Sequence, residues 1–414
     1  MKKIKLANLI TFIFLILVSL TISIYITIFF PIIEVQPVYY EMAKSIMNPN
    51  HNFSEYYDGP HIRKFYTFGY PALISGYFFN SIDLTIRIVQ FLSLMLIWVI
   101  TFYNYYLSNK ITLFLNTKSL DINFLWIFFW LSFLFLHPYF HLNLTRVTDT
   151  TLATLCITIL FWLVVIKFNS SNFYLLIGGI TLGLFIGIRP NSIILGIFFI
   201  FFLYKNPINK FQYLIFLITT FLTYIIFSKI ITGDLLFWPT QGGYTLFAGN
   251  NPFSYDAFKE VYNSEKSIEK AIPWCGLNYN DVYSITTIEY INCSLKFLFN
   301  DFFGFCKNFI FKIYNLFFRP NYNLNTLISS AGINLGFIEI FFKGIIVIPA
   351  YIWWLMYIFN SKFRNNFSVK FGALFILAYC SISIITLTDP RHSLPIDIIY
   401  IISSLNYRFG LLDR

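Results

Sequence analysis

The chain has 414 residues, of which 57% are hydrophobic, 21% aromatic and only 12% charged. A soluble protein carries roughly a quarter charged residues, and here the apolar residues come in long runs rather than at periodic positions, which excludes a soluble globular enzyme. The formal net charge is +10, but no Lys/Arg run exceeds the pair in "MKKIK" and the basic residues lie between apolar segments, as orientation signals do, so nucleic acid is excluded as a partner.

An apolar run of about 20 residues crosses the hydrocarbon core of a bilayer, and about ten such runs follow one another along the chain. The expected fold is therefore an all-α polytopic membrane protein, with residues 1–414 forming one membrane-embedded domain. The spans fall at 7–33, 84–107, 122–140, 150–166, 173–188, 192–204, 211–231, 335–360, 371–388 and 394–406. The first is too long for a signal-peptide core and lacks a small-residue cleavage site, so it reads as a retained helix. Lys2, Lys3 and Lys5, Lys110 and Lys118, Lys167, Lys205 and Lys210, Lys362, Arg364 and Lys370, and Arg408 and Arg414 occupy alternate connections. The positive-inside rule makes these cytoplasmic and puts both termini inside.

The other connections then face outward: 34–83, 141–149, the "RPN" corner at 189–191, 232–334 and 389–393. Two are large, a first outer loop at 34–83 and a second at 232–334. They hold nearly all the Asp, Glu and His outside the helices, so chemistry is expected on the outer face. That side of a bacterial inner (plasma) membrane is the expected setting.

Within the helices, Gly179, Gly183 and Gly187 recur four apart, a spacing that lets another helix approach closely; packing is the reading. Over 296–319, Asp301, Gly304, Asn308, Lys312, Asn315 and Arg319 form a polar stripe on an aromatic helix. That pattern suits a helix lying in the membrane interface; the alternative is a span with its polar stripe facing a lumen. Of the five cysteines, Cys156 and Cys380 sit in apolar runs as small buried hydrophobes. Cys275 and Cys293 lie in the outer loop, where a disulfide would persist. Cys306 is a competing partner, and three free thiols is the alternative.

Four outward stretches carry the ionisable groups. "EVQPVYYEMAKSI" starts at Glu34. "RKFYTFGYPALISG" holds Arg63 and Lys64 ahead of the Gly69-Tyr70-Pro71 turn. "TRVTDTTLATL" places Arg146 and Asp149 three apart, an ion pair on one helical face or a functional couple. "TDPRHSLPID" places Asp389, Arg391 and His392 above the last helix. Ionisable groups near a membrane are functional candidates, although at the interface Arg and Lys can reach water.

With "IRIVQFL", "GGITLGLFIGIRPN" at 178–191, "FAGNNP" at 247–252 and "RHSLPI" at 391–396, these pieces resemble, in order and spacing, the GT-C glycosyltransferases that use polyprenyl-phosphate sugars. That group includes the protein O-mannosyltransferases and the aminoarabinose transferase of lipid A. The resemblance implies juxtamembrane helices in the first outer loop, a second loop covering a polyprenyl-phosphate sugar donor, and a glycan, lipid or protein acceptor at the outer face. It implies Glu34 as general base, with Asp149 as second choice. Arg391, Arg63 and Arg189 would face the leaving phosphate, with Lys64, Tyr70, Arg146 and His392 completing the substrate site. The family usually has an Asp in the first loop before the tyrosine; here Gln36 stands there, and Glu34 is the nearest carboxylate.

No cofactor is required by this reading. The resemblance leaves a divalent metal open, since some members of that group bind one and His61, His392 and the carboxylates could supply ligands, but no sequence spacing supports it. Two other classes compete: an O-antigen polymerase or ligase, which would show several arginines and His in the large loops rather than a first-loop carboxylate, and a lipid-linked-sugar transporter. The latter would show charges within several spans and a repeat between halves, and no such repeat is visible.

Overall fold

The computed structural model describes residues 2–32, 37–47, 69–75, 79–109, 120–165, 172–197, 210–232, 235, 241–256, 264–278, 285–317, 367–385, 395–399 and 401. Among these the chain is nearly all helical and no strand occurs. In chain order the helices are α1 (Lys2–Phe29), α2 (Pro37–Met47), α3 (Gly69–Ile74), α4 (Ile82–Asn109), α5 (Leu120–Phe135), α6 (Pro138–Leu142) and α7 (Thr150–Val165). Then come α8 (Asn172–Ile188), α9 (Lys210–Thr232), α10 (Gln241–Gly249), α11 (Ser264–Cys275), α12 (Thr287–Asn300), α13 (Phe302–Phe317) and α14 (Phe367–Ile385).

Two stretches are long and apolar enough to cross a membrane, Ile82–Tyr103 and Phe211–Lys229; Ile13–Phe29, Thr150–Leu163 and Asn172–Ile188 are shorter apolar helices. Each lies where a span was read from the sequence. Stripes of large apolar side chains stay exposed on them, among them Leu92, Leu96 and Val99 on α4 and Leu214, Ile218 and Phe221 on α9. Contiguous apolar surface of that kind marks contact with lipid or a partner. The span read at 335–360 lies outside the described residues. Those read at 192–204 and 394–406 are described only at 192–197 and at 395–399 and 401.

The span read at 122–140 is corrected. Helix α5 stops at Phe135, and a new turn starts at Pro138. Proline has no N–H to donate and disfavours helical backbone just before it, but suits a first helical position. The freed Phe135 carbonyl accepts from Ser19 Oγ and from His141 Nε2, the latter at 2.7 Å, while His141 Nδ1 meets Ser23 Oγ at 3.0 Å. In the same manner Arg87, in the second turn of α4, donates to the Thr27 and Phe30 carbonyls at the end of α1. A cation at a helix C-terminus satisfies orphan carbonyls and the helix dipole together.

Close approach explains the glycine stripe of α8. A Cβ on Gly179 would lie 2.9 Å from the Phe216 carbonyl, and one on Gly183 2.6 Å from the Thr220 carbonyl, both on α9. The stripe's last member turns elsewhere: a Cβ on Gly69, at the start of α3, would lie 2.6 Å from the backbone of Gly187. The Gly-Tyr-Pro turn is thereby seated on the end of α8.

Helices α10, α11 and α12 build a second, smaller core from Phe247, Ala248, Ile268, Ala271, Ile272 and Tyr290. The Cys275–Cys293 disulfide joins α11 to α12, with Cα atoms 5.8 Å apart, and Cys306 is free. The stretch read as one helix over 296–319 is two helices. The Asp301 N–H donates to the Phe297 carbonyl, ending α12, while its Oδ1 accepts from Gly304 N at 2.8 Å, opening α13. The middle of the polar stripe turns inward: Asn308, Lys312 and Asn315 are buried, while Asp301 at its start is exposed, as are Phe302, Phe303, Phe309, Ile310 and Tyr314.

Candidate functional site

Asp149 immediately precedes α7, and its carbonyl accepts the first helical bond, from Ala153 N at 2.8 Å. Its side chain faces the corner that follows α8. There Arg189 donates Nε to Oδ2 at 2.6 Å and Nη2 to Oδ1 at 3.0 Å. Two further donors are used as well: Nη1 reaches the Tyr379 hydroxyl at 3.0 Å, and Nη2 also reaches Thr150 Oγ1 at 3.3 Å. The fork matches the carboxylate edge, the strongest geometry open to a charged pair. The two side chains are only 15% and 7% exposed, so each charge depends on the other.

The expectation that Arg146 and Asp149 share a helical face is corrected. Arg146 lies before the helix, in extended backbone (φ −102°, ψ 137°) at the end of a 3₁₀ turn over Asn143–Thr145. It is buried, and its carbonyl, like that of Thr148, accepts from Gln90 Nε2, at 3.2 and 2.7 Å. The same Gln90 nitrogen donates to the Tyr70 hydroxyl at 2.9 Å. Tyr70 is wholly buried, with the Tyr39 ring 5.6 Å away. Burial pushes its phenol pKa well above the ordinary value, so it stays neutral. Gln90 thus ties the α3 turn to the segment carrying Arg146 and Asp149.

A further buried cation, Lys312, lies beside the smaller core. Lys312 Nζ donates to Asn250 Oδ1 at 2.7 Å and to the Ile385 carbonyl, at the end of α14, at 3.4 Å. Asn250 Nδ2 also donates to Ile385 O at 2.7 Å, and Asn308 Nδ2 to Asn251 O at 3.1 Å. The "GNNP" segment is therefore clamped between α13 and α14. Burial pulls the Lys312 pKa down to about 7, and no carboxylate among the described residues pairs with it. Arg189 and Lys312 both reach α14, at the Tyr379 hydroxyl and the Ile385 carbonyl, residues six apart and so about 9 Å of helix rise from one another. Elsewhere, His137 in the α5–α6 break meets Asp397 at 3.0 Å, both buried.

Of the residues singled out from the sequence, the structure brings Asp149 and Arg189 together and sets Tyr70 and Arg146 beside them through Gln90. Glu34, Gln36, His61, Arg63, Lys64, Asp389, Arg391 and His392 lie outside the described residues. Among the described residues no three His, Cys, Asp or Glu side chains gather as metal ligands would. Gln90, Tyr379 and the His137–Asp397 pair were missed, since single polar groups within apolar runs carry no spacing signal. Lys312 was visible in its stripe, but the direction it faced was not. Comparison with protein-family models, with curated proteins and with solved structures gives no match to this chain.

Proposed function

We propose that the chain is a polytopic glycosyltransferase of the GT-C kind, moving a sugar from a polyprenyl-phosphate donor to an acceptor at the outer face of a bacterial inner membrane. About ten spans with both termini cytoplasmic carry the site. One observation bears most weight: the buried Asp149–Arg189 pair lies at helix ends, beside the Tyr70 turn, and reaches the same helix, α14, as Lys312. Segments from the first outer loop, the 141–149 connection, the 189–191 corner, the second outer loop and the end of α14 thus meet at one end of the bundle.

Sugar transfer from a lipid phosphate needs two things there. A carboxylate must take the acceptor proton in line with attack, and fixed cations must meet the charge growing on the leaving phosphate. Glu34 is the base in this reading, with Asp149 as the second choice. Arg391 and Arg63 meet the phosphate, and Arg189 orients Asp149. A single displacement inverts the anomeric centre.

The test uses membranes from cells expressing the chain, supplied with radiolabelled polyprenyl-phosphate sugars. Transfer of label with release of polyprenyl phosphate is expected, and Glu34→Gln should abolish it. Full activity in Glu34→Gln with loss in Asp149→Asn moves the base to Asp149. Consumption of no such donor by the wild type rules the proposal out.

A further inference from the structure

We infer that Lys312 is the cation of a binding site for a phosphate ester carried by a membrane lipid. Its ammonium is buried, yet its described partners are neutral, an Asn250 amide oxygen and the Ile385 carbonyl. No carboxylate among the described residues pairs with it. A buried charge without a counter-charge is costly, and an anionic ligand supplies what the protein does not. An ammonium has three donors, and two are spent. By contrast, Arg189 is paired with the Asp149 carboxylate, and four of its five N–H donors are taken up by Asp149, Thr150 and Tyr379.

The helix that carries Lys312 indicates the source of the anion. Its opposite face is apolar and exposed, with Phe303 at 85% and Ile310 at 66%. Phe299 at the end of α12, 80% exposed, continues that face. Such a face lies in the acyl-chain boundary and sets the buried polar stripe near headgroup depth. The phosphate of a lipid is the anion at that depth. Lys307, set 3.6 Å over the Tyr255 ring, adds positive charge on the same helix.

Among the described residues, no titratable side chain is hydrogen-bonded to Lys312. The 249–254 segment offers the Asn250 amide, α14 a backbone carbonyl, and α13 itself Asn308 and Asn315. Without an anion beside it the ammonium loses its proton as the pH rises through about 7, and affinity for the phosphate should fall above that pH.

The inference rests on the reading of this end of the bundle as a lipid-phosphate site, but not on sugar transfer. The full chain in non-ionic detergent would be titrated calorimetrically with farnesyl phosphate, farnesol and inorganic phosphate. Lys312→Met keeps the apolar stem and removes the charge, so it should fold at least as stably. It should bind farnesyl phosphate about tenfold or more weakly, the scale of one charge-assisted hydrogen bond. Lys312→Arg should retain binding, and farnesol should not respond to either change. Saturation by inorganic phosphate would make free phosphate a ligand too; saturation by farnesyl phosphate alone assigns the site to lipid. Equal binding by wild type and Lys312→Met overturns the inference even where the wild type transfers sugar. So does failure of the wild type to bind either phosphate probe. Binding through Lys312 without any sugar transfer upholds this site and removes the transferase.

Discussion

Replacing Asp149 by Asn keeps the side chain's shape but leaves the Arg189 guanidinium buried against a neutral amide that turns donors toward donors. Removing one partner of a buried pair costs about 3–5 kcal/mol, so thermal unfolding in detergent should show a loss of that size. Arg189→Lys should fall short of it, because the charge survives while the fork is lost. In a double-mutant cycle, Asp149→Asn with Arg189→Gln should cost less than the two singles summed; simple additivity would mean that the pair contributes nothing. Lys312 acts in the opposite sense. Its folded pKa of about 7 lies below the ordinary lysine value, so between about pH 7 and 10 the unfolded chain holds more protons and stability should rise with pH. Lys312→Met should flatten that rise, and a wild-type curve already flat over this range would contradict the burial argument. Asp149 and Arg189 were legible because each is an ion at a helix end. Their pairing was not, since forty positions separate them and Arg146 stood nearer in sequence. Tyr379 was invisible, one hydroxyl within "ILAYCSIS".

The glycines of α8 show how far an element can be read alone. Their four-residue spacing foretold a close helix contact, and α9 provides it for Gly179 and Gly183. That Gly187 instead receives Gly69 could not be foretold, because the partner is a six-residue helix distant in sequence. Gly183→Ala would drive a methyl against the Thr220 carbonyl, and Gly69→Ala one against the Gly187 backbone. Overpacking of that kind costs about 1–3 kcal/mol. A lowered melting temperature is expected for each, and for Gly69→Ala a loss of activity too, since α3 seats Tyr70 over Gln90. Gly242→Ala is the control: nothing lies within 4 Å of its added carbon, and helix propensity alone should leave it neutral or more stable by about 0.5–1 kcal/mol. If Gly183→Ala and Gly242→Ala melt alike, the tight α8–α9 contact is not present in the folded protein. Over 296–319 the periodicity was right but not the continuity. Asp301 both ends one helix and opens the next, a double role that a stripe of polar residues does not reveal.

At the scale of the whole molecule, the sequence announced helices and a second outer loop, and the described residues include apolar helices at the expected places and a separate small core from α10 to α12. Which side of a membrane that core occupies follows from charge bias alone, and its disulfide provides an independent handle. A Cys275–Cys293 bond persists in an oxidising compartment and not beside cytosolic thiols, so its presence in cells would place the core outside. Intact cells treated with a membrane-impermeant maleimide should leave Cys275 and Cys293 unlabelled until a reductant is added, after which both should react. Cys156 and Cys380, buried among the helices, should stay silent in both cases. Cys306, free and partly exposed, should label without reductant if α13 lies at the outer surface. Serine at both 275 and 293 removes a link closing a loop of the size for which the chain-entropy model gives about 3 kcal/mol. The loss should fall on the small core, seen as early proteolysis within 264–300 while the helical bundle stays intact. Labelling of Cys275 and Cys293 only after the cells are opened, with no reductant needed, would put the core in the cytoplasm. The orientation read from the basic loops would then be inverted, and the outer-face site with it.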